Sequence, residues 1–251
     1  MPGWLEAGLW GLLGGAALVI GAAIAWFVRV PSRVVAGVMA FGAGVLISAL
    51  AFDLAQEAAD EGGLLTTALS FLVGALVYVA ANAVLDRHGA RHRKRSGGQQ
   101  PSESQQGGSG AAIAIGALLD GIPESVVLGV GLLGGGGVST AVVAAVFISN
   151  VPEGLSSVAG MKRAGRSAGY VFGVWGGIAL VSALAAALGY LALGGASPQL
   201  IAGITALAAG AILTMVADTM IPEAFERTHV LTGLITTLGF LVAFTISRLG
   251  A

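Results

Sequence analysis

The chain has 251 residues, 56% of them hydrophobic and only 10% charged, with a net charge of −1 and a mean hydropathy of +0.89. Ordinary soluble domains carry about 25% charged residues, so a soluble globular fold is excluded, and no global positive field argues for nucleic acid as a partner. No cysteine is present, which removes disulfides, iron–sulfur clusters and thiolate zinc sites.

Apolar runs predict eight membrane-spanning helices, at 7–28, 34–57, 64–85, 111–133, 139–160, 168–193, 199–221 and 229–248, each near the ~20 residues a helix needs to cross a bilayer. A β-barrel would alternate apolar and polar residues instead of running continuously apolar. The first segment follows Met1-Pro-Gly-Trp-Leu-Glu6, which lacks the positive region of a cleavable signal, so it is expected to remain as a helix. Trp4, Trp10, Trp26 and Phe27 near its ends read as interface anchors, and Trp175 in span 6 reads as packing. Forty-one glycines suit close approach of helices in lipid, and such small-residue faces permit a homodimer without requiring one.

The connections set an orientation. Arg29 and Arg33 follow span 1; Arg87, Arg91, Arg93, Lys94 and Arg95 follow span 3; Lys162, Arg163 and Arg166 follow span 5; Arg227 follows span 7. Of the 12 basic residues only Arg248 lies elsewhere. The alternate connections hold Asp60 and Glu61, or the glycine-rich turns at Gly134–Gly137 and Gly194–Gly195. The positive-inside rule therefore places both termini outside the cell membrane and the basic connections in the cytoplasm. The long connection 86–110 passes from a basic tract into a Gly/Ser/Gln-rich stretch expected to be disordered, within a single transmembrane domain spanning 1–251.

Spans 4 and 5 carry the chemistry. Asp120-Gly-Ile-Pro-Glu124-Ser and Ser149-Asn150-Val-Pro-Glu153-Gly each set a carboxylate directly after a proline in mid-span. An ionised side chain at the bilayer centre costs about 2.5–3.5 kcal/mol on insertion scales, so such groups persist where they line an internal polar site. Asp120 and Glu124 lie four residues apart, and Asn150 and Glu153 three apart, so each pair shares one helix face. Pro123 and Pro152 are expected to kink their helices and free the carbonyls of Leu119 and Ile148. Facing helices with carboxylate, amide and carbonyl oxygens at one level suit a divalent cation. Pairing of these acids with a base is excluded by inventory, since spans 4 and 5 contain no Lys, Arg or His. Neutral hydrogen-bonded carboxyls and a proton relay stay open.

A second pattern repeats at long range. Gly44, Ser48 and Glu57 of span 2 match Gly210, Thr214 and Glu223 of span 7 at one constant offset. With the two spans running in opposite directions, this is the pattern of an inverted repeat, a signature of secondary transporters. It places Asp53, Glu57, Asp60 and Glu61 at the outer mouth and Asp218, Glu223 and Glu226 at the inner one, where carboxylates attract cations.

With these features the chain resembles the ZIP (Zrt/Irt-like) family of divalent-metal transporters, bacterial type, over nearly its whole length. The resemblance rests on eight spans, outside termini, a variable loop after span 3, a Pro-Glu element in each of spans 4 and 5, and the string Asp218-Thr-Met-Ile-Pro-Glu-Ala in span 7. It implies an all-α polytopic membrane protein, an eight-helix bundle with an inverted 3+2+3 repeat, with no covalent chemistry. It also implies a mid-membrane metal site in which Asp120, Glu124, Asn150 and Glu153 are ligands, with Ser149 and Ser182 as further candidates beside it and Asp53, Asp218 and Glu223 as candidates at the two mouths. Zinc is the usual cargo, with manganese or iron in some members. Here Asp120 stands where the family has histidine, Gly121 where it has asparagine, and Ser182 where many bacterial members carry an acid on helix 6. An all-oxygen ligand set is expected to shift preference toward harder ions such as manganese or iron(II).

The rivals are a diverged relative that binds metal without transporting it, an intramembrane aspartyl protease, and an ion-coupled carrier of organic solutes. The usual Gly-x-Gly-Asp element of the protease is missing, and no mid-span base is available for an anionic solute. His88 and His92 read as part of the topology anchor, and His229 lies near Glu223 and Glu226 in sequence.

Overall fold

A computed structural model describes residues 1–96, 99–102, 104–133 and 138–250. Its eight long apolar helices are α1 (Gly3–Phe27), α2 (Ser32–Gly62), α3 (Leu64–Ala90), α4 (Ser109–Val130), α5 (Thr140–Arg163), α6 (Ala168–Leu193), α7 (Pro198–Thr228) and α8 (Leu231–Leu249). The protein is thus an all-α, polytopic bundle, and the eight predicted spans each fall within one of these helices to within a few residues. Short-range chemistry sets the boundaries. The hydroxyls of Ser139, Ser167 and Ser197 accept from the backbone N–H groups of Val142, Tyr170 and Leu200, capping α5, α6 and α7. Gly63 turns the chain between α2 and α3 at φ 79°, a conformation that glycine adopts without steric cost.

Burial divides the helices into inner and outer. α5, α2 and α4 are mostly enclosed, whereas α3, α6 and α8 turn leucine faces outward. Leu180, Leu184, Leu188 and Leu191 make one such stripe along α6. Faces of this kind suit a lipid bilayer. Among the described residues, the two most extensive apolar cores lie inside. One joins Leu18, Ile113, Leu155, Trp175 and Ile178 from α1, α4, α5 and α6. The other joins Met39, Leu46, Leu50, Leu128, Val146, Ile212 and Met215, centred on α2 and α7.

Glycine sets the closest crossings. The Thr236 carbonyl of α8 fills the space a side chain at Gly44 would need, and the Phe41 carbonyl of α2 does the same at Gly239. The same reciprocal contact joins α3 and α7, with the Phe71 carbonyl against Gly210 and the Leu207 carbonyl against Gly74. α2 and α7 also each contain a π-helical turn, at Leu50–Ala55 and Val216–Met220.

Candidate functional site

Pro123 and Pro152 lie inside continuous helices, and the acids beside them point inward. Asp120, Glu124, Asn150 and Glu153 are all at most 4% exposed. Glu124 lies beside the Asn150 amide and within electrostatic reach of Glu153 and Asp120. One of its oxygens, Oε1, is buried without a hydrogen-bond partner among the described residues. The Asn150 amide also donates to the Gly14 carbonyl of α1 at 3.0 Å. The two Pro-Glu elements therefore meet in one polar pocket between α4 and α5.

What fills that pocket overturns the inventory argument against pairing. The bases come from the chain just beyond α3. Arg93 donates through Nε and Nη2 to the two Asp120 oxygens at 2.9 and 2.8 Å. It reaches the Tyr78 hydroxyl at 2.9 Å and the Asn82 side-chain oxygen at 2.7 Å as well. Tyr78 in turn donates to Asp120 at 2.6 Å. The Lys94 ammonium stands 2.9 Å from Glu153 and 3.4 Å from Asp120. Arg95 stands 3.5 Å from Glu223 and 2.7 Å from Glu226. Counting bases within spans misses them because a connection can fold back into the bundle. Burial alone would lower the affinity of the Arg93 guanidinium for its proton, and the Asp120 carboxylate more than offsets it, raising the pKa above its usual value.

The backbone of this segment is held too. The Ser96 N–H donates to Glu223 at 2.8 Å, and Ser156 of α5 donates to the Lys94 carbonyl and to Glu223. Gln100 donates to the carbonyls of Arg93, Arg95 and Ser157, and Arg163 donates to that of Ser96. Thus the basic half of the 86–110 connection, read from the sequence as a cytoplasmic topology anchor, has Arg93, Lys94 and Ser96 buried in the bundle. Enough hydrogen-bond acceptors converge there to replace its water.

The accessory residues divide. Glu223 joins the pocket through Ser96, Ser156 and Arg95. Ser182 lies across from Gly121, close to α4. Ser149 is buried but spends its hydroxyl on the Val146 carbonyl of its own helix. Asp218 is exposed on the side chain and borders a small cavity beside Arg91, Arg93, Lys94 and Arg95. Asp53 accepts from Ser247 at 2.9 Å at the opposite end of the bundle. There, with Glu57, Asp60 and Glu61, it lines a cavity of about 670 Å³ that reaches inward to Val127 and Val142. Val127 follows Glu124 by three residues, so this cavity stops roughly one helical turn short of the pocket. His229 is exposed, its ring edge-on to Phe225.

Sequence reading missed Tyr78, Asn82, Arg93, Lys94, Arg95 and Ser156. One signal was available: Tyr78 and Asn82 lie four apart in the apolar second half of span 3, just ahead of a run of bases. Among the described residues, no three His, Asp or Glu side chains are arranged to hold a metal ion in this conformation. No family model matches the chain, and no curated protein matches it.

Proposed function

We propose that this chain is a ZIP-like carrier that lets divalent metal cations enter the cytoplasm through the carboxylate pocket of α4 and α5. The observation that carries the reading is the Lys94 ammonium lodged between Glu153 and Asp120, with the unpartnered Glu124 oxygen close by. A pocket that already holds one cation at bilayer depth, and keeps a spare carboxylate oxygen, is built for positive charge. Asp120, Glu124, Asn150 and Glu153 offer only oxygen donors, so manganese and iron(II) join zinc as candidate cargo.

An inverted 3+2+3 repeat agrees with several observations. The reciprocal glycine crossing of α2 with α8 recurs between α3 and α7, and the π-helical turns of α2 and α7 begin at matching positions of the sequence repeat. Glycine contacts also join α1 closely to α5 and α6, and α4 to α6. Two internally tight helix groups meeting along α4 and α5 could rock past one another and open the pocket to each side in turn. With the basic end in the cytoplasm, the acidic cavity at Asp53, Glu57, Asp60 and Glu61 faces outward and gathers cations by its field.

The test is uptake of zinc(II) and manganese(II) into proteoliposomes by wild type, Glu124→Ala and Glu153→Ala. Both variants are expected to insert normally and to lose uptake. Full uptake by either refutes the assigned roles, and strong zinc preference in the wild type counts against softened selectivity. A second reading, metal binding without transport, is favoured by one observation: Asp120 already satisfies Arg93 and Tyr78. Retained binding with no uptake by the wild type would support it.

A further inference from the structure

We propose that the Arg91–Ser96 segment is a built-in competitor for the transported cation, with the Lys94 ammonium occupying the carboxylate pocket and leaving it when a divalent metal enters. The inference rests on the metal-transport reading above and names what fills the same pocket in its absence.

Three successive bases meet acids on three helices. Arg93 takes Asp120 on α4, Lys94 takes Glu153 on α5, and Arg95 takes Glu223 and Glu226 on α7. A chance fold-back would not also match the backbone, yet the segment's carbonyls and one N–H are received by Ser156, Gln100, Arg163 and Glu223. The partners belong to both helix groups, since Arg93 bridges α3 and α4 while Lys94 and Arg95 engage α5 and α7. Docking therefore fills the site and fastens the groups together at one end.

The two innermost bases are held differently, which identifies the exchangeable one. The Arg93 fork has Asp120, Tyr78 and Asn82 as hydrogen-bond partners. The Lys94 ammonium, among the described residues, meets only the carboxylates of Glu153 and Asp120, at 2.9 and 3.4 Å. A compact, flexible ammonium is the easier cation to withdraw. Departure of Lys94 leaves Glu153 and the free Glu124 oxygen facing an incoming cation, while Arg93 keeps Asp120. A divalent ion brings one charge more to these oxygens than the ammonium it replaces.

Two measurements test this. In the first, zinc(II) binding to purified protein in detergent is compared between wild type and Lys94→Met, which keeps most of the stem and removes the charge. The variant is expected to bind at least tenfold more tightly. In the second, the chain's lack of cysteine allows Ser96→Cys to serve as a single reporter. Ser96 is buried and its hydroxyl makes no hydrogen bond among the described residues, so the exchange should leave the fold intact. The thiol is expected to resist a hydrophilic maleimide, and to react at least tenfold faster when Lys94→Met is added or when manganese(II) is supplied. An unchanged labelling rate on adding Lys94→Met overturns the proposal, because Lys94 then does not hold the segment. Equal zinc affinity in wild type and Lys94→Met also overturns it while leaving the transport reading intact. If neither protein binds zinc or responds to manganese, the transport reading fails and the exchange falls with it.

Discussion

Removing the Arg93 side chain should expose how strongly the buried pair with Asp120 is coupled. Arg93→Met deletes both charged hydrogen bonds to Asp120 and leaves the Asn82 oxygen without its guanidinium donor. Breaking one half of a buried pair typically costs about 3–5 kcal/mol. Asp120 retains the Tyr78 hydroxyl and the Lys94 ammonium at 3.4 Å, so the lower end, about 3 kcal/mol, is expected. Asp120→Asn alone should cost roughly 2–3 kcal/mol, because the guanidinium keeps Tyr78 and Asn82 but loses its counter-charge. The double variant should cost little more than either single one, giving a coupling energy of about 2–3 kcal/mol. Thermal unfolding in detergent reads this out: at about 2–4 °C per kcal/mol for a chain of this size, Arg93→Met should melt roughly 6–12 °C and Asp120→Asn roughly 4–12 °C below wild type. Additivity within about 0.5 kcal/mol would refute the pairing.

Two further outcomes follow from other parts of the fold. Gly44→Ala and Gly210→Ala should each destabilise the protein by about 1–3 kcal/mol, since each new Cβ collides with a neighbouring carbonyl. Gly176→Ala, with open space around it, should be neutral or stabilising by up to ~1 kcal/mol; equal melting temperatures for all three would contradict the crossings. Burial lowers the pKa of His92, the charges of Arg95 and Arg91 lower it further, and Glu226 and Asp86 oppose them. A histidine whose folded pKa lies below its free value favours docking while neutral. Docking should therefore be complete above the free value, about 6.5, and weaken as pH falls below it. The labelling rate of the Ser96→Cys reporter, divided by that of a free thiol at the same pH, should rise below that point, and His92→Gln should remove the rise. A ratio independent of pH with His92 in place would refute this role.

Much of the architecture was legible in the chain because membrane helices announce themselves by length and hydropathy. α4 and α5 could be singled out because acids in lipid are costly, and the three- and four-residue spacings set Asn150 with Glu153 and Asp120 with Glu124 on shared faces. Ser149 shows where that reasoning ends. It adjoins Asn150 in sequence, but its hydroxyl back-bonds to its own helix, a choice that local rotamer geometry makes and spacing does not.

Periodicity and the cost of burying charge were enough, from the residues alone, to establish an eight-helix bundle and to mark its intramembrane acids. Which cations answer those acids was a tertiary decision. Arg93, Lys94 and Arg95 look like an ordinary topology anchor in a polar loop, and only the folded path brings them against Asp120, Glu153 and Glu223. Local sequence governs helices because their hydrogen bonds close within four residues. An ion pair across 27 or more residues depends instead on where separate helices come to rest.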